Sequence, residues 1–336
     1  MSSLAPVYPG EHTVPKALGG GGERRSGSER LRDAALATGA CLLLTACSAD
    51  PALLDGPTQA IVARDGLVYV ADGYFHARVA VFTPDGQFVR DWGSKGFEHG
   101  QLQTPHALVE SSDGTLVVAD RDNGRLERFS TGGRFLNSLR SEALGRPWSV
   151  AHAGAGRLFV ADGGDQSAGA ARAGIVELDA SGQVVRRFAS FGSGPGQLDE
   201  PHMLAVSQEG DVFVVELGNR RLQRFAPVDC DPEGGACAYQ PVAGWPALED
   251  TPGLDPLSVA LDGERLYVGH QGDRPSIWVL EQGSGRLEAV LGEGAFERPH
   301  GLFVAIDGTL WIADDHGDRV VHLAADGRRL GTIGAP

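Results

Sequence analysis

The sequence predicts an all-β protein, a six-bladed β-propeller, on three observations. The first is composition: 48 glycines and 19 prolines in 336 residues, with 42% hydrophobic residues, suit short strands joined by many tight turns. The second is repetition. From about residue 57 an alternating apolar strand recurs as GLVYVAD (66–72), GTLVVAD (114–120), GRLFVAD (156–162), GDVFVVE (210–216), ERLYVGH (264–270) and GTLWIAD (308–314). The third is what flanks that strand. A short strand precedes it, beginning near Pro57, Pro105, Pro147, Pro201, Pro256 and Pro299, and a strand such as RVAVF, RLERF, RLQRF or RVVHL follows. Most units then close on a fourth strand, as in GQFVRDW, GRFLNSL and GQVVRRF. Four antiparallel strands at a period of roughly 40–55 residues are the mark of propeller blades, which bury their faces only against one another. The repeats therefore form one domain, 57–336.

Ahead of the repeats the chain changes character. Residues 1–23 are rich in glycine and proline, and Val14 is an alternative start. Arg24, Arg25, Arg30 and Arg32 then precede an apolar run from Ala34 to Ala46. The run is too short to span a bilayer but long enough for the apolar region of an export signal. It ends in Leu44, Thr45, Ala46 and Cys47, which resembles the lipobox of bacterial lipoproteins. That resemblance implies cleavage before Cys47 and lipidation of its thiol, with several acyl chains giving a stable anchor. The alternative is a plain secretory signal. The expected organisation is 1–47 as extension and signal, 48–56 as linker, and an exported protein at the bacterial cell envelope.

Export bears on the two remaining cysteines. Cys230 and Cys237 flank a short Asp/Pro/Gly loop, and outside the cytoplasm such a pair is expected to form a disulfide; two free thiols are the alternative. The net charge of −15 removes the electrostatic attraction on which nucleic-acid binding relies. A nucleic-acid partner is not expected, and the only membrane contact would be the lipid anchor.

In a blade the first strand lines the channel and the second runs antiparallel beside it, so the start of the one and the end of the other share a rim. The first-strand starts read PTQAI, PHALV, PWSVA, PHMLA, PLSVA and PHGLF. Histidine takes the second place in alternate blades, as His106, His202 and His300. Alternate blades of a six-fold ring are related by about 120°, so the three imidazoles are expected to converge on the axis. Three histidines with an open fourth position have the geometry of a catalytic zinc site. Hydrogen-bonded channel histidines without metal are the alternative. Asp120, Asp162 and Asp314 end second strands and are expected to brace turns. His152 and His270 are read as outer members of the same rim, either one a partner for a ligand. His12, His76, His99, His316 and His322 are expected to be solvated.

The unit pattern resembles NHL repeats over nearly all of 57–335. With histidine on alternate first strands, it further resembles the lyase domain of peptidylglycine α-amidating monooxygenase, the peptidylamidoglycolate lyase. The similarity is strongest over 57–129, in ADGYFHARVAVFTPDGQFVRDWG and TPHALVESSDGTLVVADRDNGRLERF. The resemblance implies zinc on His106, His202 and His300, a catalytic tyrosine at Tyr74 in the DGY motif, and an active-site arginine at Arg121 in the ADR motif. The blade order is circularly permuted relative to that family. A second arginine, expected in an H-R-G-D motif, meets Gln271, so its charge is absent unless Arg274 or Arg78 supplies it. The family's calcium would use the carbonyls of Val259 and Leu302 and an aspartate where this chain has Met203.

The chemistry this implies is the cleavage of an N-(α-hydroxyglycine) compound, a peptide or small molecule, to an amide and glyoxylate. Zinc can lower the pKa of a bound hydroxyl. Tyr74 would take the hydroxyl proton as general base, and Arg121 would bind the substrate carboxylate or the developing charge, with Gln271 beside it. A packed surface tyrosine and a turn-bracing arginine are the alternatives for these two residues. Two other functions compete. One is a non-catalytic propeller that binds a peptide, glycan or protein on this rim, favoured by Gln271 and Met203. The other is a metal hydrolase or lactonase of another six-bladed family, whose sites rely on carboxylate and amide ligands; three rim histidines argue against it.

Overall fold

The computed structural model describes residues 53–164, 172–230, 237–245 and 253–334. The Arg-flanked apolar run and Cys47 lie outside the described residues. Six four-stranded antiparallel sheets follow one another along the chain, each made of strands consecutive in sequence. No α-helix occurs among the described residues; the few helical segments are short 3₁₀ turns. The innermost strands are Gln59–Val62, Pro105–Glu110, Pro147–His152, Pro201–Val206, Pro256–Asp262 and Pro299–Val304. Each contacts the next, and the sixth contacts the first, so the ring closes. Closure exchanges no strand between the first and last repeats. Instead, Leu54, Ala60 and Val70 pack with Trp311, Val320 and Ile333, and the Gly56 amide donates to the Asp318 carboxylate at 2.9 Å.

The core is divided among the blade interfaces. Six apolar clusters are present, each shared by two neighbouring blades. This corrects the sequence reading of the second strands in one respect. In Leu116–Asp120 and its counterparts every residue is buried, not every other one. A blade sandwiched between two others has no solvent face, so near-continuous apolar runs replace a strict alternation.

A carboxylate ends the second strand in five of the six repeats, the fifth ending in His270, and it ties the strand to the segment before the blade. The Asp120 carboxylate accepts from the Gln103 amide at 2.8 Å and from Arg125 at 2.9 Å. Asp314 accepts from the Glu297 amide at 2.9 Å and from Arg319 at 2.9 Å. In the third blade Gly174 stands where the first, second, fourth and sixth have this arginine, and Arg187 on the fourth strand reaches Asp162 at 2.8 Å instead. A buried carboxylate is costly unless paired and hydrogen-bonded, and this one is both. The structure joins Cys230 to Cys237 in a disulfide.

Candidate metal centre

The innermost strands are irregular where they begin. Between Pro105 and Ala107 the register to the second strand slips by one, and the same slip follows Pro201, Pro256 and Pro299. A bulge leaves the extra residue unpaired and re-aims its side chain. His106, His202 and His300 occupy bulges of this kind. All three are buried, and their ligand atoms lie within 4.8 Å of one another. Their ring centroids are 4.8–4.9 Å apart.

Backbone carbonyls of the intervening blades set the orientation of each ring. His106 Nδ1 bonds the Trp148 carbonyl at 2.6 Å, His202 Nδ1 the Leu257 carbonyl at 2.7 Å, and His300 Nδ1 the Thr58 carbonyl at 2.8 Å. Because a carbonyl only accepts, Nδ1 carries the proton, and Nε2 is left as a lone pair. His106 Nε2 and His202 Nε2 are buried without a partner among the described residues. Glycine makes one of these contacts feasible: a Cβ on Gly301 would lie 2.3 Å from the Thr58 carbonyl oxygen.

Burial drives all three imidazoles toward the neutral form. It lowers His202 to about 3 against a weaker opposing pull from its bond to Leu257. It holds His106 and His300 well below the usual range, helped by Arg121, by Arg298 and by the other imidazoles. Neutral rings with fixed tautomers and unpaired inward nitrogens suit a divalent metal.

Tyr74 stands over the trio. Its hydroxyl lies 2.8 Å from His300 Nε2, and its ring centroid is 6.1 Å from that of His106. The preceding glycine is required, since a Cβ on Gly73 would sit 2.1 Å from the Pro105 carbonyl oxygen. Burial raises the phenol above its ordinary range, and Arg121 and then Arg298 draw it partly back. The Arg121 guanidinium carbon lies 5.6 Å from the centre of the Tyr74 ring and 4.8 Å from the centre of the Trp148 ring. The structure therefore gathers His106, His202, His300, Tyr74 and Arg121 on one rim.

Other sequence expectations are corrected. His152 ends its innermost strand and lines the opposite mouth of the channel; five residues of strand from Pro147 carry it roughly 16 Å away. His270 is on the rim, but its Nδ1 accepts the Asp255 amide at 3.0 Å and bonds no ligand histidine. His316 and His322 are not simply solvated. His316 Nε2 lies 3.1 Å from Arg298, and the His322 ring stacks 3.8 Å from that of Trp311.

Gln271 stands at the second-strand exit of the fifth blade, its amide bonded to the Asp255 carbonyl at 3.0 Å. Val259 and Leu302 are buried and line the channel, and Met203 packs in one cluster with Val259. Among the described residues the three histidines form the only group of three or more metal-binding side chains, and Met203 offers no carboxylate where the resemblance would place the calcium aspartate, against the six to eight oxygens calcium usually takes.

Sequence reasoning missed Trp148, Arg298 and Asp315. Trp148 fills the second place of its strand, where histidine alternates, and its ring centroid is 5.3 Å from that of His106 and 5.4 Å from that of His202. Arg298 and Asp315 carried no motif at all.

Comparison with known proteins agrees with this geometry. No family model matches the chain. It is 30% identical over 173 residues to peptidyl-glycine alpha-amidating monooxygenase B of Xenopus laevis, covering 48% of this chain and 19% of that protein. It is 30% identical over 191 residues to peptidyl-alpha-hydroxyglycine alpha-amidating lyase 1 of Drosophila melanogaster, covering 50% of this chain and 34% of that one. Human NHL repeat-containing protein 3 is 24% identical over 184 residues, 49% of this chain and 50% of that protein. These matches span half or less of each relative's length. Among solved structures, a streptogramin B lyase superposes with a TM-score of 0.56 at 14% identity, covering 86% of this chain and 85% of that one, and shows the fold alone. The chain is thus a six-bladed β-propeller that resembles, over about half its length, proteins bearing amidating-lyase and NHL-repeat names.

Proposed function

We propose that the chain is a zinc-dependent lyase that cleaves N-(α-hydroxyglycine) compounds to an amide and glyoxylate. The observation that carries this reading is the pair of buried, unpartnered Nε2 atoms on His106 and His202 beside Tyr74. An orphaned polar atom in a dry site is expensive, and a metal would satisfy both.

His106, His202 and His300 would hold the ion. When bound, zinc supplies Lewis acidity, drawing on a substrate oxygen and easing loss of its hydroxyl proton. Tyr74 is placed to receive that proton as its phenolate, its own proton having passed to solvent once a bound metal replaces its contact with His300, with Arg121 favouring the phenolate against the burial that raises the phenol. As the O–H pair becomes the new C=O bond, the C–N pair leaves with the nitrogen. The nitrogen takes up the proton, so an amide and an aldehyde acid result and no oxidant is needed. Arg121 offers its guanidinium to the carboxylate on the reacting carbon. Trp148 and the surrounding apolar strands keep water from competing.

The test is release of glyoxylate from N-benzoyl-α-hydroxyglycine by zinc-loaded protein against an EDTA-treated control. Release that depends on the metal supports the reading. Zinc-loaded protein without release above the control overturns it and favours a propeller that only binds.

A further inference from the structure

The chain enters the ring on the face that carries the three histidines. Leu53 is the first described residue, and the segment it opens crosses the rim of the first blade. The Leu53 carbonyl accepts from Arg78 at 2.5 Å, the Asp55 amide donates to the Asp72 carboxylate at 2.9 Å, and the Gly56 carbonyl accepts from the Tyr74 amide at 3.3 Å. Gly56 backs onto Tyr74 and Phe75, since a Cβ there would lie 2.8 Å from the Tyr74 Cβ and 3.0 Å from the Phe75 ring. Whatever precedes Leu53 in the chain is therefore attached on the side of the ring where Tyr74 stands.

Exposed aromatic side chains mark the same face. Among the described residues three are exposed, Phe75 at 70%, Phe97 at 71% and Phe191 at 46%. Phe75 follows Tyr74 at the rim. Phe97 and Phe191 belong to the loops that lead into blades 2 and 4, and rim residues of those blades hold both loops: Arg125 donates to the Phe97 carbonyl at 3.0 Å and Asn219 to the Gly192 carbonyl at 2.9 Å. The opposite mouth has one exposed large apolar side chain, Ile306, and apart from Leu53 the others lie on outermost strands. Scattered aliphatic exposure of that kind is ordinary. Exposed aromatics confined to one face are what a surface that meets an apolar partner presents.

Tether length decides what that partner is. Leu53 lies six residues on from Cys47, and a fully extended run of that length spans at most about 20 Å. Reaching the far mouth takes about 5 Å to round the outer strand and about 16 Å for five residues of strand, with the turns there still to be cleared. An acyl anchor on Cys47 can therefore serve the histidine face and cannot serve the opposite one. We propose that the histidine face lies against a phospholipid bilayer, with Phe75, Phe97 and Phe191 in the interface, so that the metal centre takes its compounds from the membrane surface. The inference rests on lipidation of Cys47 and is independent of the lyase reading. A net charge of −15 gives no attraction to anionic headgroups, so apolar contact carries the docking. Three partly exposed rings are too few to bind a bilayer stably; the anchor holds the protein there and the rings set which face it turns inward.

The experiment uses the full chain, expressed in a bacterial host, recovered with the membrane fraction in detergent and added by detergent dilution to preformed phosphatidylcholine vesicles. Phe97→Cys, Phe191→Cys and Ile306→Cys are each labelled with bimane and quenched by spin-labelled phosphatidylcholine or by iodide in the water. The lipid quencher should reach the labels at 97 and 191 and not the one at 306. Iodide should quench the first two about tenfold less than the third, because the interface excludes an anion. Phe97→Asp combined with Phe191→Cys should raise iodide quenching several-fold while the protein stays on the vesicles through its anchor. Lipid quenching at Ile306→Cys, equal iodide access at all three labels, or recovery of the protein outside the membrane fraction overturns the proposal. A quenching pattern that Phe97→Asp leaves untouched overturns the part given to the aromatic rings. No arm reads glyoxylate release, so the lyase reading stands or falls separately.

Discussion

Blades 2, 4 and 6 place histidine directly after the proline that opens the repeat, whereas blades 1, 3 and 5 place Thr58, Trp148 and Leu257 there. The even blades contribute side chains to the centre, through inward Nε2 atoms within 4.8 Å of one another. The odd blades contribute backbone, because the carbonyls of those three residues hold the Nδ1 atoms at 2.6–2.8 Å. Each ligand is thus oriented by the blade that follows it round the ring, and the sixth by the first. A metal centre of this kind depends on closure: without the seam between the sixth and first blades, His300 loses the carbonyl that turns it.

That division can be tested by variants on either side of it, beginning with the largest effect. Tyr74, with Trp148, is an odd-blade side chain that reaches the centre, and Tyr74→Phe should keep the metal yet lower turnover by about 10²–10⁴, the usual range for a positioned proton acceptor. Equal turnover in that variant would leave Tyr74 as a packing residue. Leu257 should behave in the opposite way. Its side chain is fully buried, so Leu257→Ala should cost about 2–5 kcal/mol in denaturant unfolding, while zinc affinity changes by less than tenfold because the carbonyl remains. A large loss of metal would mean that the carbonyl alone does not hold His202.

A pH effect separates the two flanks of Tyr74. Burial raises Asp315 to about 7, with Arg298 opposing and Asp314 reinforcing the shift. A carboxyl raised in the folded state holds its proton more tightly there, so its contribution is complete below the ordinary value near 3.8 and is lost as pH rises through about 7. Relative to wild type, Asp315→Asn should therefore gain stability between about pH 4 and pH 8 and none below. Parallel stability curves across that range would show that Asp315 is ionised throughout. The smallest effect on the ring concerns its anchor. We propose export and lipidation at Cys47; Cys47→Ser should then shift the protein from the membrane fraction to the soluble fraction in a bacterial host without altering zinc content, and unchanged fractionation would count against lipidation.

What the sequence made legible was periodic. The six strand signatures repeat closely enough to count blades, and histidine at one phase of that repeat in every other blade gives convergence before any coordinates exist. What it hid falls into two kinds. The carbonyls of Thr58, Trp148 and Leu257 are backbone groups, which no residue type marks. Arg298 and Asp315 sit at places with no common residue round the ring: the residues preceding the strand-opening prolines are Gly56, Thr104, Arg146, Glu200, Asp255 and Arg298. A charge at such a place acquires meaning only when its neighbours across the ring are known. His152 was misplaced for a simpler reason, that a strand carries its ends to opposite mouths of the channel.

The most direct measurement is the zinc content of protein purified without added metal, by elemental analysis of wild type, His106→Ala, His202→Ala, His300→Ala and Leu257→Ala. One zinc per chain is expected in wild type and in Leu257→Ala, and a small fraction of that in each histidine variant, with all five retaining the far-ultraviolet signature of a folded β-protein. Full zinc retention in the three histidine variants, or wild type that takes up none when zinc is supplied, would contradict a metal centre at the convergence of the even blades.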